Sequence, residues 1–115
     1  RLDYTWAYQG DPQEGSLWIG GDPKTGEVIA HWIDTWHMSD GVLVCRGGPA
    51  HEDGSISVRG SYAAPPGPDW GWRIDIHPGG ERTLRVVMFN VTPEGQEAVA
   101  VEASYTRSAT AIGPA

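Results

Sequence analysis

"WGWRIDIH", residues 70–77, sets Trp70, Trp72, Ile74 and Ile76 at alternate positions, with Arg73, Asp75 and His77 between them. A repeat of two marks a strand with one apolar face; a helix would bring its apolar residues back every three or four positions. The flanking sequences agree. "AAPPGPD" (63–69) precedes the segment and "HPGGE" (77–81) overlaps its end. Both combine proline, glycine or aspartate in ways that favour tight turns.

The same grammar runs outward in both directions. Turn sequences recur as "QGDPQEG" (9–15), "GGDPKTG" (20–26), "SDG" (39–41), "GGPAHEDG" (47–54) and "TPEG" (92–95). Residues 2–8 place Leu2, Tyr4, Trp6 and Tyr8 on one face, and residues 55–62 oppose Ile56, Val58 and Tyr62 to Ser55, Ser57, Arg59 and Ser61. Segments 16–20, 27–37, 41–46, 82–91 and 96–107 complete the set. The last, "QEAVAVEASYTR", is rich in helix-favouring Ala and Glu, but Val99, Val101, Ala103 and Tyr105 alternate, so it reads as a strand.

These segments predict an all-β chain, an antiparallel up-and-down meander of about eight strands. The connections are too short for parallel crossovers. Closing the meander into a barrel removes its edges. A barrel of about that size holds one small ligand or fills with its own side chains. Residues 1–107 form a single β-barrel domain in this reading, and 108–115, "SATAIGPA", form a flexible C-terminal tail.

Composition narrows the functional classes. The chain has 115 residues, the size of one domain, with 39% hydrophobic and 20% charged residues, an ordinary globular mixture. The net charge of −7 disfavours nucleic acid and anionic membrane surfaces, and the arginines are dispersed rather than patched. No apolar run is long enough to span a bilayer, and no signal peptide is visible. The single cysteine, Cys45, lies in an apolar run and reads as a buried core residue, so a reducing cytoplasm is the expected location.

No G-x-S-x-G elbow, G-x-G-x-x-G or Walker loop, C-x-x-C or H-E-x-x-H occurs. What remains is scattered chemistry on strands. In "EVIAHWIDTWH" (27–37), Val28, Ala30, Trp32, Asp34 and Trp36 share one face, and Ile29, His31, Ile33, Thr35 and His37 share the other. Asp34 sits between two tryptophans. Burial there would raise its pKa and suit it to act as an acid, a base or an acceptor. A structural bond to a tryptophan N–H is the competing reading. His31 and His37 are about 20 Å apart along the strand and cannot share a metal. No metal is expected and no cofactor; haem, with His37 as the first candidate ligand, is the alternative.

Trp70 and Trp72 project to one face, about 7 Å apart, beside the stiff proline loop. They suit either a plug for one barrel end or a stacking surface for a ligand. Glu102 shares its parity with Ala98 and Ala100, and calls for an arginine such as Arg85 or Arg59 as a structural partner.

The strings "LDYTWAYQGDPQEGSLWIGGD", "WIDTWHMSDG", "GSYAAPPGPDWGWRIDI" and "MFNVTPEGQEAVAVEASYTR" resemble an uncharacterised bacterial domain family of unknown function with a calycin-like (lipocalin-like) β-barrel. The likeness covers about residues 2–107, and D-T-W-H and P-G-P-D-W-G-W-R are its most specific parts. Members carry one or more strands ahead of this point, so the resemblance implies a barrel lacking N-terminal strands. Relatives in the wider calycin group bind fatty acids, retinoids, pigments or haem, and a few are enzymes.

The expectation is therefore a barrel that binds a small, mostly apolar ligand, lined by Tyr4, Trp32, Asp34, Trp36, His37, Tyr62, Trp70 and Trp72. An enzyme with Asp34 or His37 as general acid or base is the first alternative. An interaction module with an open sheet edge, monomeric or homodimeric, is the second.

Overall fold

The computed structural model describes residues 1–35 and 41–107. They form eight strands: β1 (Leu2–Tyr8), β2 (Asp11–Gly21), β3 (Val28–Asp34), β4 (Leu43–Gly47), β5 (Ile56–Tyr62), β6 (Trp70–Pro78), β7 (Thr83–Val91) and β8 (Glu97–Thr106). Each pairs antiparallel with the next, in chain order, to give one sheet. There is no helix among the described residues, and none long and apolar enough to cross a membrane.

The sheet curls into a half-barrel, consistent with the calycin-like expectation. Its concave face carries the alternate apolar residues. Leu17, Trp32 and Leu43 lie in one row across β2, β3 and β4; Val58, Ile74 and Met88 lie in another across β5, β6 and β7. All six belong to one buried cluster. Burying each such side chain contributes about 1.5–3 kcal/mol, which is why the period-two pattern dictates the fold.

Two local features differ from the sequence reading, each for a physical reason. "QGDPQEG" was expected to be all turn. Only Gln9 and Gly10 turn the chain, both at positive φ (48° and 87°), the geometry of a two-residue hairpin that matches strand twist. β2 resumes at Asp11, with Pro12 opposite Ala7. Among the described residues the β2–β3 ladder runs from Gly15 to Gly21, so Pro12 lies outside it.

The second difference lies in β8. Met88 pairs with Val101 but Phe89 pairs with Val99, so the strand bulges at Ala100. Val101, Ala103 and Tyr105 keep the inward face as expected. Val99 is turned outward and is 57% exposed. Glu102 also faces outward and pairs with Arg85, one of the two arginines named from sequence, in an exposed ion pair. Such a pair contributes about 0–1 kcal/mol.

β4 and β5 approach closely at Gly60. A Cβ there would lie 2.6 Å from the Val44 carbonyl oxygen and 2.9 Å from Cys45 Sγ. Gly60→Ala is expected to destabilise the protein by about 2 kcal/mol in urea unfolding. Gly20→Ala, where nothing lies within 4 Å, is expected to be near neutral. Cys45 is fully buried, and burial pushes its thiol up to about 11. At pH 8 it should resist thiol reagents in the fold and react promptly in urea; equal rates in both would overturn this packing.

Candidate functional site

The polar centre of the concave face is Asp34, the last residue of β3, only 2% exposed. An ionised carboxylate at such depth is costly unless hydrogen bonds hold it. Two of its donors come from β1, two strands away. Tyr4, Gly15 and Asp34 lie in register across β1, β2 and β3. Gly15 has no side chain, so the Tyr4 ring lies across it; a Cβ there would overlap the Tyr4 ring and hydroxyl. The Tyr4 hydroxyl thereby donates to Asp34 Oδ2 at 2.6 Å. Trp6 Nε1 donates to the same oxygen at 3.2 Å, and Trp32 Nε1 donates to the Tyr4 oxygen at 2.6 Å.

The result is a relay of fixed direction, from Trp32 N–H through Tyr4 O–H to the carboxylate. Burial and the bond to Asp34 push the Tyr4 hydroxyl well above its ordinary value, and Tyr105 on β8 is raised by burial and by the charge of Asp34. Tyr4 and Tyr105 also touch, with ring centres 6.3 Å apart.

A second group of aromatics adjoins the first. Trp32 and Trp72 stack with centres 5.1 Å apart and planes 11° from parallel. Tyr62 meets Trp72 edge-on at 6.5 Å, and its hydroxyl donates to Asn90 Oδ1 at 2.6 Å. Trp32 and Trp72 are 2% and 5% exposed, so they fill the interior as a plug. Trp70 pairs with Tyr62 across β5 and β6, and both stay half-buried. The two tryptophans of the proline-loop junction therefore divide their roles: Trp72 packs and Trp70 stands at the rim.

Of the residues named from sequence, Tyr4, Trp32, Asp34, Tyr62 and Trp72 form one connected cluster, and Trp70 borders it. Trp36 and His37 lie outside the described residues. Trp6 and Gly15 were not named, yet both are integral to the site. The signal for Trp6 was its shared parity with Tyr4. Gly15 left none, since it stood in a stretch read as turn. His31 projects from the outer face, and among the described residues no three His, Cys, Asp or Glu side chains converge on a metal position. Beside Trp6 a groove of about 460 Å³ opens, lined also by Thr5, Gln13 and Thr35.

Asp34→Ala would remove the carboxylate that accepts from the Tyr4 hydroxyl and the Trp6 N–H, and is expected to cost about 3 kcal/mol by denaturant unfolding. The raised tyrosines set an alkaline limit. Above the ordinary value of 10.0 the unfolded chain releases these protons while the folded chain keeps them. Stability then falls as pH rises, and Tyr4→Phe should flatten that slope above pH 10. An unchanged slope would remove Tyr4 as its source.

No curated protein and no solved structure matches the chain. Residues 1–107 match the model of a family described as Protein of unknown function (DUF1579), and the chain belongs to that family.

Proposed function

We propose that the protein binds a small, mostly apolar molecule at the rim of its concave face. The observation that carries this reading is the arrangement of half-buried aromatics around a buried, hydrogen-bonded carboxylate on the concave face of the curled sheet. Tyr4, Trp6, Tyr62 and Trp70 keep part of their surface open to solvent, although each belongs to the apolar face. Partly exposed rings beside a few fixed polar groups are the usual lining of a ligand site.

The interior itself is not the binding volume in this reading. Trp32 and Trp72 spend their ring faces on each other, and the aliphatic rows below them are packed. The ligand rests on the rim rings, with the Asp34–Tyr4 relay behind them. That relay holds Tyr4 and Trp6 in place, so their contact surface is ordered before the ligand arrives. Preorganisation of this kind strengthens binding by lowering its entropy cost.

The test is a tryptophan-fluorescence titration with a panel of medium-chain fatty acids and planar aromatic acids, checked by native mass spectrometry. At least one class should bind saturably. Trp6→Ala and Trp70→Ala should each weaken it by about tenfold, the loss of one aromatic contact. Absence of saturable binding across the panel, together with no co-purifying mass, would overturn the proposal.

A further inference from the structure

Building on the rim site proposed above, we infer that Asn90 is the residue that selects the ligand. Its side-chain amide donates to a neutral carbonyl oxygen, so the class taken is ketones, esters or amides with an apolar chain. Asn90 lies near the end of β7 and shares the inward parity of Val86 and Met88. It stands opposite Trp72 on β6 and Ala98 on β8. Tyr62 stands opposite Trp70, so the 2.6 Å bond from its hydroxyl to Asn90 Oδ1 crosses β6 diagonally. That bond ties the amide to the two half-buried rings at the rim.

An asparagine amide accepts through its oxygen and donates twice through its nitrogen. Tyr62 takes the oxygen. The proton it gives to Oδ1 favours one of the two amide orientations and turns Nδ2 away from the tyrosine. Among the described residues no side chain or carbonyl accepts from Nδ2. Asn90 is half-buried, and its neighbour Ala98 is small and exposed, so the amide is reached from the β8 side. A molecule laid over Tyr62 and Trp70 shields these N–H groups from solvent. One without an acceptor leaves them unsatisfied, a loss of about tenfold in affinity.

Charge decides which acceptor fits. The inner face carries the Asp34 carboxylate. Among the described strand residues no arginine, lysine or histidine shares that face: His31, Arg46, Arg59, Arg73, His77 and Arg85 all project outward. A carboxylate ligand would be half-buried beside Asn90 without a counter-charge, which is costly. A carbonyl needs only the hydrogen bond.

The test compares three ligands by tryptophan-fluorescence titration at pH 8. They are a medium-chain methyl ketone, the alkene in which a methylene replaces its carbonyl oxygen, and the fatty acid of equal length. The ketone should saturate the protein and bind about tenfold more tightly than the fatty acid. Asn90→Asp keeps an acceptor for Tyr62 and removes both N–H donors. It should weaken the ketone about tenfold and the alkene by no more than about twofold. Tyr62→Phe keeps the ring but frees the amide to turn, and should weaken the ketone about threefold. In heteronuclear NMR of the unaltered protein, the Asn90 side-chain amide signals should move downfield with the ketone and not with the alkene. Equal losses of ketone and alkene in Asn90→Asp, unmoved amide signals, or a fatty acid that outbinds the ketone would overturn this role of Asn90 and leave the rim site standing. No saturable binding of any of the three would overturn both.

Discussion

A carboxylate that is almost fully buried imposes conditions on everything around it. Asp34 ends β3 on the apolar face, where its charge must be met by donors. No arginine or lysine supplies them. Two donors are an aromatic hydroxyl and an indole N–H from β1, two strands away. Meeting that demand sets the placement of β1, requires glycine at position 15, and turns the Trp32 indole toward the Tyr4 oxygen. With its polar edge so held, the Trp32 ring presents its face to Trp72. One polar requirement thus propagates from β1 to β6 through contacts that are mostly aromatic.

This makes β1 unusual among edge strands. An edge strand normally depends on one ladder and on the burial of a few side chains, and it frays first. β1 has those, and three side-chain hydrogen bonds with β3 as well. Its inner face is thereby committed to the sheet. On the opposite rim, β8 is set by a long ladder with β7, and its bulge turns Val99 out of the way. Among the described residues these two strands meet where Tyr4 touches Tyr105.

The fold was legible because its main determinant is a pattern. Alternation in residues 2–8, 55–62 and 70–77 reports burial on one face, and burial is the largest favourable term in folding. The strand count and the antiparallel order follow from that pattern and from the spacing of turns. The site was only partly legible. Tyr4, Trp32 and Asp34 were visible as polar or amphipathic groups among apolar neighbours, but nothing in a single strand says which of them meet. That depends on register: Tyr4 reaches Asp34 because Gly15 stands between them, a relation across three strands. The sequence around Gly15 also looks like a turn, since Pro12 and Gly15 normally break strands. Among the described residues Pro12 pairs with Ala7 and lies outside the β2–β3 ladder, where proline is tolerated.

Stability alone does not account for the relay. A buried ionic group is often no more stabilising than apolar residues of the same shape, and removing one member costs more than the group contributes. An apolar residue at position 34 with Phe at 4 and 6 would pack the same face without a charge to satisfy. What such a packing would lack is direction. The carboxylate fixes where the Tyr4 hydroxyl points, and Tyr4 fixes the Trp32 N–H. Directional bonds of this kind hold rings in one orientation, where dispersion contacts alone permit several. On a sheet face that is partly open to solvent, that orientation is what distinguishes a shaped surface from a merely greasy one. The cost of burying Asp34 is easier to understand as the condition for keeping Tyr4 and Trp6 ordered at the rim than as a contribution to the core.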